Sequence, residues 1–148
     1  MMLYVDTSAL VKLYVDESMS HELAVAVDEA EAIATSLLAY TETRAAFARA
    51  RREARLSAHA YRQCVEMFAE DWTRYITVEV TDRLVKMAGD LAAHRALRGY
   101  DAVHLASALT LRERVSSEVR FLAFDRALMV AARREALHLH PLGGVNAV

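Results

Sequence analysis

Short apolar runs alternate along the chain with longer stretches in which apolar residues recur every three or four positions. The first run, Leu3-Tyr4-Val5, shows no polar alternation, the pattern of a central parallel strand buried on both faces. Asp6-Thr7-Ser8 then supplies capping side chains for a helix over residues 9–14. Ser18 or Ser20 is expected to cap a helix ending near Ala30, and residues 32–35 read as a second strand. Ser36 is expected to cap a long helix over 37–55, with small and apolar residues along one face. Ser57 opens another helix to about Arg74, and the β-branched run 76–80 is a third strand interrupted by Glu79. Thr81 caps a helix over 82–97, Gly99 breaks the pattern, and 100–114 is helical again. Residues 120–124 form a fourth strand, Asp125 opens a helix to about Leu137, and Leu139 with its neighbours gives a weak fifth strand.

This order predicts an α/β fold, a central and mostly parallel sheet of about five strands with helices on both faces. A length of 148 residues fits a single domain over 1–148. No repeat, low-complexity tract or linker interrupts it, and Pro141, Gly143 and Gly144 suggest a short C-terminal tail. Hydrophobic residues at 55% and charged residues at 26% describe a chain that folds. The lone cysteine, Cys64, excludes an internal disulfide and a cysteine zinc knuckle, and suits a reducing cytoplasm. The opening apolar run is cut at Asp6, and no stretch reaches the ~18 uncharged apolar residues of a membrane span. A cytoplasmic protein without membrane association is therefore expected. A net charge of −2 excludes a whole-surface basic field for nucleic acid. The local run Arg44, Arg49, Arg51, Arg52 and Arg55 could still steer RNA, although a solvated helix face pairing with Glu53 is the simpler reading.

Four acids stand out. In open α/β sheets, ligands bind beyond the carboxyl ends of the strands. Asp6 follows the first strand and Asp125 the fourth; Asp101 opens the helix after Gly99. Glu42 lies about a turn and a half into the long helix, with Ala45 and Ala46 leaving space beside it. Taken singly, each Asp reads more simply as a helix cap or first-turn acid, and Glu42 as a solvated one. Gathered at one sheet end, they would repel one another, and a divalent cation is the simplest relief. Oxygen-only ligands favour Mg²⁺ or Mn²⁺ over Zn²⁺. Such a centre supports phosphodiester hydrolysis. Ser8 is placed either to orient an acid or a water there or to serve as a helix N-terminal hydroxyl.

The segments YVDTSALVKLYVDE, SLLAYTETRAAFARA, LRGYDAVHLASAL and FLAFDRALMVAARREAL resemble, in this order, the acid-bearing segments of PIN-domain nucleases, and within them the VapC toxins of toxin–antitoxin pairs. The resemblance implies a three-layer α/β/α fold and a Mg²⁺- or Mn²⁺-dependent endoribonuclease. It implies inhibition by a VapB-like antitoxin and, commonly, a homodimer. It carries the metal and catalytic roles onto Asp6, Glu42, Asp101 and Asp125, and the catalytic role less directly onto Ser8. Thr7 and His104 fall inside matching segments without an assigned catalytic role. His104, three residues after Asp101 on the same helical face, reads as a packing or hydrogen-bonding residue.

Other chemistry is thinly represented. No H-E-x-x-H pairs the six histidines, the H-L-H at 138–140 reads as edge decoration, and no G-x-G-x-x-G or P-loop occurs. Cys64, Tyr14, Met19, Met67, Phe68 and Trp72 read as core or interface. A phospho-accepting receiver domain would need a Lys after its last strand, and none lies beyond Lys86. Two related alternatives stay open: an RNA-processing PIN nuclease without an antitoxin, and a PIN-like module that binds without cutting.

Overall fold

Alternation along each strand separates the two faces of the sheet, and that division builds the layers. The computed structural model describes residues 1–144. Strands β1 (Met2–Val5), β2 (Ala32–Ser36), β3 (Ile76–Val78), β4 (Val119–Leu122) and β5 (His138–Leu139) form one five-stranded sheet in the order β3-β2-β1-β4-β5. Every pairing is parallel, so the expected mostly parallel sheet is wholly parallel among the described residues. Register places Tyr4 beside Ala34 and Phe121, and Phe121 beside Leu139. These residues face the cluster formed with helices α5 (Asp82–Arg95), α6 (Gly99–Arg114) and α7 (Arg126–Arg134). Leu3, Val5, Ile33 and Leu122 face the other way, onto α1 (Thr7–Lys12) and α2 (Ser20–Glu29). Three layers result, α/β/α, as the sequence pattern predicts.

Helices α3 (Ala39–Arg52) and α4 (Ala58–Trp72) pack on each other and on α1 through a third, aromatic cluster around Phe47 and Phe68. Tyr14, Phe68 and Trp72 are indeed core, as is Cys64, whereas Met67 is exposed. Arg49 and Arg55 each pair with Glu53 on an exposed face, as the simpler reading has it for those two, whereas Arg44 donates to the Tyr40 hydroxyl and Arg51 to the Leu56 carbonyl. His138 lies exposed on the edge strand β5. No helix among the described residues is long and apolar enough to cross a membrane.

Several boundaries differ from expectation. Helix α1 begins at Thr7, earlier than residue 9, because the Asp6 carboxylate accepts from the Ala9 amide and caps it. Neither Ser18 nor Ser20 caps α2: its N-cap is Met19, in the left-handed region, and Ser20 is already helical. Ser36 ends β2; its hydroxyl accepts from the Leu38 amide, so it shapes the turn before α3. Leu37 is held in that turn by a 2.9 Å bond from its amide to the Val78 carbonyl, which delays the helix to Ala39. Glu42 consequently sits in the first turn of α3. Helices α3, α5 and α7 end two to three residues before the expected limits, in turns with Ala54, Ala96 and Ala136 in the left-handed region. Strand β4 ends at Leu122, so Asp125 follows it after Ala123 and Phe124 and is not its direct neighbour. Thr81 and Ser57 cap as expected. Of the expected C-terminal tail, Pro141–Gly143 form a short 3-10 helix capped by Gly144, and residues 145–148 lie outside the described residues.

Candidate active site

The chain order of the strands reverses across β1, and the crevice at such a switch point, beyond the strand carboxyl ends, is where open α/β sheets bind ligands. Asp6 leaves β1 there and Asp125 leaves β4, its neighbour. Asp6 is 4% exposed. Its Oδ1 accepts from the Ser8 hydroxyl at 2.6 Å and from the Ala9 amide at 3.1 Å. Ser8 Oγ in turn accepts from the Phe124 amide at 3.1 Å, which ties the end of β1 to the β4 loop and fixes the Asp6 carboxylate in orientation. Among the described residues Asp6 makes no ion pair. Burial raises its pKa most, and the Asp101 charge adds to that; attraction to His104 and the Ser8 and Ala9 hydrogen bonds oppose it without cancelling it.

Glu42 reaches the same end of the sheet from α3. Its Oε1 accepts from Thr7 Oγ1 at 2.8 Å and from His104 Nε2 at 2.9 Å. His104 is buried on α6, and its Nδ1 meets the Tyr4 hydroxyl at 2.9 Å. The Glu42 carboxylate can only accept, so Nε2–H of His104 donates to it. Burial alone would raise the Glu42 pKa; the hydrogen bond and attraction from His104, with the Thr7 bond, outweigh it and lower the pKa below the ordinary glutamate value. Sequence reasoning left Thr7 and His104 without a catalytic role; the structure makes them the two groups that hold Glu42. Their only sequence signal was position: Thr7 adjoins Asp6, and His104 lies one turn after Asp101.

Asp101 stands in the first turn of α6 and Asp125 is the N-cap of α7, accepting from the Leu128 amide at 2.9 Å. Both face Arg98: its Nε is 3.1 Å from Asp101 Oδ2 and its Nη2 is 3.6 Å from Asp125 Oδ2. Arg98 was not singled out by sequence, although its i,i+3 spacing to Asp101 was visible. Beside Asp101 and Glu42, a groove of about 590 Å³ runs between α5 and α6, with Val85, Gly89 and Tyr100 among its walls.

The structure therefore brings the four acids to one end of one sheet and holds them in three separate sets of bonds: Asp6 with Ser8, Glu42 with Thr7 and His104, and Asp101 and Asp125 with Arg98. Among the described residues, no three His, Cys, Asp or Glu groups converge in metal-ligating geometry. Glu42 is turned to Thr7 and His104, and Asp101 and Asp125 to Arg98. The donor chemistry nevertheless suits a hard cation: the groups are carboxylates, and the most buried of them, Asp6, makes no ion pair among the described residues and feels the Asp101 charge.

Comparison with known proteins fits this geometry. The PIN domain family matches residues 3–133, a span that contains all four acids. The chain is 40% identical over 110 residues to Ribonuclease VapC45 of Mycobacterium tuberculosis, across 74% of this chain and 76% of that relative. Ribonuclease VapC49, from a second strain of the same species, matches to the same extent. With the acids at the switch point of a parallel three-layer sheet, and with these matches over most of its length, the chain belongs to the PIN-domain family as a VapC-type member.

Proposed function

We propose that this protein is a metal-dependent endoribonuclease that hydrolyses RNA phosphodiester bonds, as the toxin of a VapBC-type pair. The observation that carries the reading is the arrival of Asp6, Glu42, Asp101 and Asp125 at the carboxyl end of one parallel sheet in a PIN-domain chain. Mg²⁺ is the ion of choice, with Mn²⁺ able to substitute, because the ligand set is all oxygen. When bound, such an ion lowers the pKa of a water molecule and stabilises charge developing on phosphoryl oxygens.

The residues have distinct parts in this reading. Asp6, Asp101 and Asp125 hold the ion, and Glu42 completes the acid set from α3. Ser8 keeps the Asp6 carboxylate in place through its 2.6 Å bond. Thr7 and His104 keep Glu42 ionised and fixed. The α5–α6 groove gives single-stranded RNA an approach to Asp101, because accessible bases and backbone are found in unpaired segments. A cytoplasmic location, a single catalytic domain over the whole chain, inhibition by a VapB-like antitoxin and a homodimer belong to the same proposal.

The test is cleavage of end-labelled RNA by the purified chain after EDTA treatment. Cleavage is expected to be absent in EDTA and restored by Mg²⁺ or Mn²⁺. Equal cleavage with and without EDTA would overturn the metal-dependent reading, and no cleavage with either ion would favour a binding module.

A further inference from the structure

Arg98 closes the acid cluster from the solvent side. It is the N-cap of α6, but its side chain makes no capping bond, so the guanidinium is spent elsewhere. It spans two acids that begin different helices: Nε to Asp101 Oδ2 at 3.1 Å, and Nη2 to Asp125 Oδ2 at 3.6 Å. The Arg98 side chain is 81% exposed, against 18% for Asp101 and 37% for Asp125. One exposed cation thus neutralises two less exposed anions. Charge alone makes this favourable, since two unpaired carboxylates at neighbouring helix starts would repel.

We propose that Arg98 is an exchangeable counter-ion of the Asp101–Asp125 pair, displaced when a divalent cation takes their oxygens. The inference rests on the metal-binding reading above and adds a residue that opposes it. An ion ligated by Asp101 sits ~2.0–2.1 Å from a carboxylate oxygen, and the Arg98 guanidinium already occupies the space beside Oδ2. Guanidinium and dication repel at that separation, so both cannot be held closely by the same atom. Exposure decides the outcome. A solvated ion pair is weak and its long side chain is easily released, so Arg98 exchanges where a buried arginine would block the site. Arg98 therefore lowers metal affinity and protects the acid pair from mutual repulsion until metal arrives.

The experiment is calorimetric titration of the full chain with Mn²⁺, comparing wild type with Arg98→Gln and Arg98→Lys. Loss of the exposed guanidinium that bridges Asp101 and Asp125 is expected to tighten Mn²⁺ binding roughly 3- to 10-fold in Arg98→Gln. Arg98→Lys, which keeps the charge without the fork, falls between the two. The difference shrinks as ionic strength rises, because the pair is solvated. Thermal melts in EDTA should stay close to wild type for both variants, which separates an effect on the ion from an effect on the fold. Unchanged or weaker Mn²⁺ binding by Arg98→Gln would overturn the proposal, with weaker binding showing that Arg98 instead holds the acids together for the ion. Absence of Mn²⁺ binding in all three proteins, wild type included, would overturn the metal-binding reading itself and this inference with it.

Discussion

Asp6→Asn is expected to lower RNA cleavage at least ~10²-fold while raising the melting temperature of the protein in EDTA. The two effects have one cause. A carboxylate that holds a catalytic cation contributes its charge in the reaction, and an amide cannot replace it; loss of a group even one shell further out already costs ~10–100-fold. The same charge is a burden to the fold without the ion. Asp6 is buried, and its pKa is raised by that burial and by the Asp101 charge. A carboxyl whose folded pKa lies above its unfolded value favours folding only while protonated, so its contribution is lost as pH rises through the folded pKa. Above the ordinary aspartate pKa the buried Asp6 carboxyl therefore weakens the fold, and Asn removes that cost while its Oδ1 can still accept from Ser8 and Ala9. The expected gain is about 2–4 °C, the shift that ~1 kcal/mol makes in a chain of this size. It should shrink as pH falls below the raised pKa, because wild-type Asp6 then protonates too. Excess Mg²⁺ should narrow or reverse the order, since ligand binding to the native state stabilises wild type. Melting curves at neutral and acidic pH, with EDTA and with Mg²⁺, check each part. A variant that melts lower than wild type in EDTA at neutral pH would contradict the role given to the buried charge.

Phe68→Ala is expected to destabilise the protein by ~3–5 kcal/mol, the range for truncating a fully buried phenylalanine. Phe68 carries no accessible surface. Its ring lies 5.3 Å from Tyr14, 5.4 Å from Tyr40, 5.5 Å from Trp72 and 5.7 Å from Phe47, centroid to centroid. Edge-to-face and stacked pairs at such distances each add ~0.5–1.5 kcal/mol beyond burial. Removing the ring strips all four at once and leaves a cavity that Val15 and Cys64 are too short to fill. The consequence reaches the site, because Phe47 and Tyr40 belong to α3, the helix that carries Glu42. Loosened α3 packing should cost activity through Glu42 as well as stability through the core. Urea unfolding should show a lower midpoint with an unchanged slope. A loss below ~1 kcal/mol would mean that α4 does not clamp α3 in this way.

Much of the fold could be read along the chain because its cues are local. Leu3-Tyr4-Val5 needs burial on both faces, and Thr81 and Ser57 announce their helices by hydroxyls that accept from the third residue on. Helix ends were less legible. Ala54, Ala96 and Ala136 take left-handed positions where glycine is the usual signal, so no residue marked the stop. The start of α3 depends on the Leu37 amide bonding to Val78, a contact made across the sheet. The acids themselves were visible from their places after strands and at helix starts, with the family likeness setting them apart from ordinary caps. What holds them was not visible. Tyr4 and His104 meet across 100 positions, Thr7 and Glu42 across 35, and Arg98 reaches Asp125 from a different helix start. Those links exist only once α6 lies on β1 and α3 lies over α1, and no pattern within a single segment encodes them. Asp125 shows the middle case: its capping role was readable, its distance from the strand end was not.

The most direct measurement is anomalous diffraction from crystals of the wild-type chain soaked in Mn²⁺. The carboxylate reading predicts a peak at the carboxyl end of β1 within ~2.0–2.4 Å of Asp6 and Asp101 oxygens, with the Arg98 guanidinium moved off Asp101. No peak at saturating Mn²⁺, or one bound away from Asp6 and Asp101, would contradict it.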